Sequence, residues 1–197
     1  MAATVVVTLG IAVVPLVLVA RPTDKEEATK VRGIRVTTQE LATVPDLPKS
    51  RRDQLAKDLE IFLDLAYTQA FVPAAATATP SPSTGVARIS HLLTSASRKS
   101  LNKDPDVFDL GPNLTVSSGQ LTYRGIVTTH KNNPVEAILE IELDARATLT
   151  DEDREVAGVK QTGTLVLKMA GDGWRLRAFD LELDTKALPS PSPRAAR

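Results

Sequence analysis

The chain has 197 residues, and 24 Lys and Arg balance 24 Asp and Glu, so no net field steers it toward nucleic acid or another polyanion. Cysteine is absent, which excludes disulfides, thiolate metal sites, a cysteine nucleophile and lipid attachment through a cysteine. One Trp, two Tyr and four Phe are too few to build a stacking platform for single strands.

Residues 2–20, AATVVVTLGIAVVPLVLVA, carry no charge and approach the ~20 apolar residues a bilayer-spanning helix needs. Gly10 and Pro15 interrupt the run, and both are better tolerated in a membrane helix than in a soluble one. A cleavable signal wants a basic start and small residues before the cut. Here no Lys or Arg precedes Arg21, and a cut after Ala20 would set Leu18 three positions before it. The segment therefore reads as an uncleaved signal-anchor, with a signal peptide as the alternative. Arg21, Lys25, Lys30, Arg32 and Arg35 argue by charge for a cytoplasmic C-terminal side. A lone N-terminal anchor followed by a domain argues for export. The expectation is a single-pass cell-membrane protein with its main domain extracytoplasmic, or alternatively a secreted one.

Residues 21–49, punctuated by Pro22, Pro45 and Pro48, read as a tether in which GIRVTTQEL can form one strand. Residues 50–186 read as one α+β domain. Ser50, with Asp53 three residues on, resembles a capping box that opens a long helix. Leu55, Leu59, Phe62, Leu63, Ala66 and Ala70 recur at helical spacing, and Ile61, Leu65 and Phe71 are expected to widen that buried stripe. Residues 73–84, PAAATATPSPST, read as a flexible or extended loop. A second helix is predicted from Gly85 to Leu101, and Pro105 disfavours any helix in the residue before it.

From Leu114 the apolar period changes to two. LTVSSGQLTYRGIVTTH predicts two short strands broken at Ser118-Gly119, or one strand with a bulge. In PVEAILEIELDARATLT, the odd positions from Val135 to Leu149 form one apolar face. Glu136, Glu140, Glu142, Asp144 and Arg146 form the wet one, with Ile138 the one apolar residue among them. VKQTGTLVLKMA predicts the next strand, and GDG turns the chain into WRLRAFDLELD. There Trp174, Leu176 and Ala178 share one parity, while Phe179, Leu181 and Leu183 share the other. A strand changes face in this way only with an extra residue, so a bulge is predicted near Ala178-Phe179.

A long helix, a shorter helical stretch and a meander closing at GDGWRLRAFDL make residues 50–185 resemble the nuclear transport factor two-like (cystatin-like cone) superfamily. The resemblance implies a curved antiparallel sheet wrapped around the long N-terminal helix. With the N-terminal span, the layout is similar to bacterial single-pass proteins associated with lipid transporters or secretion systems. No superfamily catalytic motif aligns residue by residue.

His91 and His130 are isolated and lack the three or four convergent ligands of a zinc site. Asp151, Glu152, Asp153 and Glu155 lack the alternating ligands and turn glycine of a calcium loop. The acidic ladder from Glu136 to Asp144 is explained by cross-strand pairing with Lys168, Arg175 and Arg177. No catalytic residue, metal or cofactor is expected. The sequence points to a non-catalytic, membrane-tethered adaptor or assembly module. Its expected partners are a membrane through residues 2–20 and a protein of a membrane or envelope complex, with homo-oligomerisation an open option. The alternative is a small-molecule-binding or lyase/isomerase-type cone. Tyr67, Tyr123, Trp174 and Asp180 would then line its interior pocket, Asp180 by its parity with Trp174. Residues 187–197, with Pro189, Pro191 and Pro193, read as a disordered tail beyond a last strand ending near Lys186.

Overall fold

The computed structural model describes residues 33–72, 85–111, 113–149, 154–171 and 173–188. The expected anchor, the loop over 73–84 and the tail from 189 lie outside the described residues. Among the described residues no helix is long and apolar enough to cross a membrane.

The domain is α+β. Its five strands are β1 (Gly33–Val44), β2 (Leu114–His130), β3 (Asn133–Leu149), β4 (Glu155–Ala170) and β5 (Gly173–Ala187), in the order β1-β2-β3-β4-β5. The helices are α1 (Lys49–Phe71), α2 (Gly85–Ile89) and α3 (Ser95–Leu101), with 3-10 turns at Ser90–Leu92 and Pro105–Phe108.

The sheet is mixed, which corrects the antiparallel expectation. β2 to β5 form an antiparallel meander, but β1 runs parallel to β2, with Gly33 opposite Ser118 and Val44 opposite Thr128. The helical segments lie between β1 and β2, so β2 can re-enter the sheet in the direction β1 took. This also moves the domain boundary. The predicted strand inside the expected tether is the edge of the sheet, and Ile34 belongs to the core.

α1 begins one residue before the expected start. Pro48 sits at the cap, its carbonyl accepting from Arg51 N and Arg52 N, and no side chain caps the helix. The capping box expected at Ser50 and Asp53 is therefore not formed; Asp53 pairs with Lys49 instead. Leu55, Leu59, Phe62, Leu63, Ala66, Tyr67, Ala70 and Phe71 are buried, as the spacing predicts for all but Tyr67. Ile61 and Leu65 do not widen the stripe, being 59% and 40% exposed. Both carry apolar side chains, but they fall past the edge of the arc that meets the sheet. The last turn is held by Arg88, which donates to the carbonyls of Gln69 and Ala70 at 2.6 Å each.

The second predicted helix is broken. Leu93 and Thr94 are extended because Leu93 bridges to Leu176 and Thr94 N donates to Leu176 O at 2.9 Å. Thr94 then caps α3 by accepting from Ser97 N, a local bond that competes with continuing the helix.

Bulges shape the long strands. Ser117 is the extra residue in β2, so a single 17-residue strand runs through the Ser118-Gly119 position. In β5 the register skips Arg177, one residue before the predicted site. Trp174 and Leu176 are buried before this bulge, and Leu181 is buried after it in the opposite phase. Gly163 is required where β4 meets β5. Its φ is +144°, and a Cβ there would lie 2.0 Å from Asp180 O.

Candidate functional site

The inner face of the sheet and the buried arc of α1 enclose the hydrophobic core. Tyr67 is fully buried, and its ring lies 5.8 Å from both Phe71 and Phe108. Phe108 in turn meets Phe179 edge to face at 6.2 Å. The Tyr67 hydroxyl donates to Gln161 Oε1 at 2.7 Å, and Gln161 Nε2 donates to Val107 O. One glutamine thereby ties α1, β4 and the Pro105–Phe108 turn together inside the core. Burial holds the Tyr67 phenol far above its usual range, so it is a neutral donor here.

Tyr123 occupies a second polar junction. Its hydroxyl donates to Ala56 O at 2.8 Å, while Thr38 Oγ1 lies 2.7 Å from that hydroxyl and 2.6 Å from Glu60 Oε1. The threonine has one hydrogen and so serves one of its two partners at a time. This junction clamps β1, β2 and the first half of α1. Burial, with the Glu60 charge adding to it, raises the Tyr123 phenol well above its usual range, against the Thr38 contact that lowers it.

Of the four residues expected to line a pocket, Tyr67, Tyr123 and Trp174 belong to the one buried core, and Asp180 does not. Tyr67 and Tyr123 reach α1 at opposite halves, near residues 67 and 56. Trp174 is buried at the start of β5, and its Nε1 has no hydrogen-bond partner among the described residues. Asp180 is exposed on the outer face, opposite Thr164. The extra residue at Arg177 puts Asp180 on the opposite face from Trp174, so simple parity misplaces it. Gln161 is not among the residues the sequence singles out, although it shares the inward phase of Val159, Leu165 and Leu167. A polar residue in that phase is the available signal.

Two surface clefts flank the core. One, of about 530 Å³, lies between β1 and α1, with Lys49, Arg52, Asp53, Lys57, Glu40 and Glu60 in its lining. Its charges are largely matched: Lys49 pairs with Asp53 at 2.6 Å, and Arg52 with Asp46 at 2.5 Å. The other, of about 520 Å³, is acidic, gathering Asp104, Asp106, Asp109, Glu182 and Asp184. Asp109 is occupied by Gly111 N at 2.9 Å, and Asp184 by Lys186 at 3.2 Å. Among the described residues no three carboxylates or histidines converge as a metal would require.

The outer face of the sheet is charged and cross-paired. Glu140 pairs with Arg124 at 2.6 Å, Asp144 approaches Lys160 at 3.8 Å, and Glu136 pairs with Arg177. The acidic ladder is thus largely ion-paired: of the partners expected from the sequence Arg177 takes Glu136, while Arg124 and Lys160, not expected, take Glu140 and Asp144. Through these pairs runs an apolar row. Ile126 and Ile138 are direct cross-strand partners, each 49% exposed.

Comparison with known proteins returns no matching family model, no matching curated protein and no matching solved structure.

Proposed function

We propose that this chain is a membrane-tethered assembly module whose folded domain acts outside the cytoplasm by binding protein, with no reaction of its own. The observation that carries this reading is a buried polar pair that ties the interior of the fold together. Where a cone-type enzyme would hold its ligand, Tyr67 and Gln161 are fully buried and hydrogen bonded to each other. The buried polar groups on α1, β1, β2 and β4 join elements of the fold, leaving the surface for recognition. The tether rests on the nineteen uncharged residues 2–20. A nuclear transport factor two-like domain, its sheet curving around α1, is supported by the long helix, the four-strand meander after it and the bulges along the strands. The parallel strand β1, ahead of α1, lies outside the residues that carry this likeness.

The test is fractionation of cells carrying a C-terminally tagged chain, followed by protease added from outside. The tag is expected in the membrane fraction and is expected to be lost on protease treatment. Recovery in the cytosol, or a tag that survives the protease until the membrane is breached, refutes the reading.

A further inference from the structure

β5 is an edge strand, with β4 on one side of it only. Opposite residues of an antiparallel pair alternate between exchanging hydrogen bonds and turning their backbone groups away. Leu188 N donates to Val156 O at 2.8 Å, so Lys186, Asp184, Glu182 and Asp180 turn theirs toward β4. Phe179, Leu181, Leu183, Thr185 and Ala187 then turn theirs to the free side. Near the start of β5 that side is closed, because Leu176 O accepts from Thr94 N and from Ser97 Oγ. From Phe179 onward, no hydrogen bond from the described residues reaches the free side. The acidic cleft follows this open stretch. Glu182, Leu183, Asp184 and Thr185 all line it, and consecutive side chains of a strand point to opposite faces, so the cleft runs along the strand edge. Its other wall carries Asp104 and Asp106, both exposed, and Leu110, and no Lys or Arg lines it. On β5, Asp180 and Glu182 lie across from Thr164 and Thr162, while Asp184 pairs with Lys186.

We propose that the free edge of β5 over residues 179–187 takes a basic, extended segment of another protein as a sixth strand. The open backbone groups supply the pairing, and the charges choose the partner. A second copy joined edge to edge through β5 would set Glu182 and Asp184 against their own like, which bars self-pairing. A strand laid beside β5 shares its two faces. On one face its side chains meet Asp180, Glu182 and Asp184, and those positions are basic. The positions between them face Leu183 and Leu110, and those are apolar. The recognised pattern is therefore Lys or Arg at every second position with apolar residues between. β1, the other edge of the sheet, has an extra residue at Gln39, and a bulge of that kind blunts an edge against an added strand. This names the kind of partner for the protein-binding module proposed above and rests on that part of the reading. It does not rest on the membrane part, so a failure here would leave the fractionation result standing.

The probe is a fluorescein-labelled octapeptide of alternating Arg and Val, titrated with the purified full-length chain in uncharged detergent micelles and followed by anisotropy. Saturable binding is expected. The same peptide methylated on every backbone nitrogen keeps its charge and loses its donors, and it is expected to bind several-fold more weakly. In the chain, Thr185→Pro removes one donor from the free side and none from the ladder with β4. It is expected to weaken binding several-fold, and so is the exposed double reversal Asp180→Lys with Glu182→Lys. Thermal melts check that each variant keeps the fold, and the surface reversal carries the test if the proline does not. Absence of saturable binding at millimolar chain would overturn the proposal. Equal binding of the methylated peptide would reduce the contact to plain charge attraction and overturn it as well. So would binding indifferent to both chain variants, which would lie elsewhere on the surface. A dimer of the peptide-free chain that Thr185→Pro splits, seen by sedimentation, would give the edge to a second copy and equally refute it.

Discussion

Tyr67 on α1 and Gln161 on β4 are 94 residues apart in sequence and joined by a 2.7 Å hydrogen bond, with both side chains fully buried. Removing the hydroxyl leaves Gln161 Oε1 without this donor in a site without exposed surface. Tyr67→Phe is therefore expected to destabilise the domain by about 1–3 kcal/mol. Urea unfolding of the variant measures this, and a midpoint equal to that of the parent would show that the bond contributes nothing.

Both tyrosines of the chain are held protonated by burial. Their folded values lie above the unfolded value of ~10, so the folded state keeps protons that the unfolded chain releases. Their contribution is fully present below pH ~10 and is lost as pH rises toward the folded values. Above that pH the stability is expected to fall by about 1.4 kcal/mol per pH unit from Tyr67 alone. Phenolate absorbance is expected to appear together with the loss of far-ultraviolet ellipticity. Phenolate appearing near pH 10 while the ellipticity stays native would show that the hydroxyls are open to solvent.

Gly163 combines a φ of +144° with a Cβ position 2.0 Å from Asp180 O. Gly163→Ala must strain the backbone and also push β5 away from β4. The expected cost is at least ~2 kcal/mol, seen as a lower melting temperature. A melt unchanged from the parent would mean that β4 and β5 do not approach in this way.

On α1 the exposed and buried sides can be told apart by substitution. Ile61→Lys is expected to change stability by no more than ~0.5 kcal/mol, because its side chain already faces water. Leu63→Ala, two residues on and fully buried, is expected to cost about 2–5 kcal/mol. Equal costs at the two positions would show that the helix is rotated.

Arg88 places two donors on the last carbonyls of α1. Arg88→Ala is expected to cost about 1–3 kcal/mol, and Arg88→Lys to recover only part of it, since an ammonium cannot reproduce the planar fork. Full recovery by lysine, read from chemical denaturation, would reduce the role of Arg88 to its charge.

The sequence by itself determined the elements whose pattern is local. The spacing from Leu55 to Ala70 set the buried arc of α1, and strict alternation from Ala137 to Ala147 set the two faces of β3. The parity change after Trp174 required a bulge, which lies within a residue or two of where the parity breaks. Only the tertiary structure decided the rest, because it depends on groups distant along the chain. A strand pattern contains no pairing direction, so β1 could be read as a strand but not as the parallel edge beside β2. Periodicity ranks apolar residues alike, so Ile61 and Leu65 looked like core until the sheet covered only one arc of the helix. The partners of Tyr67 and Tyr123 lie tens of residues away, and no local signal foretells them. The outer apolar row exists only in the register of five strands: Ile138 stands out in β3 as a lone exception, and pairing with Ile126 and Val166 makes it part of a surface.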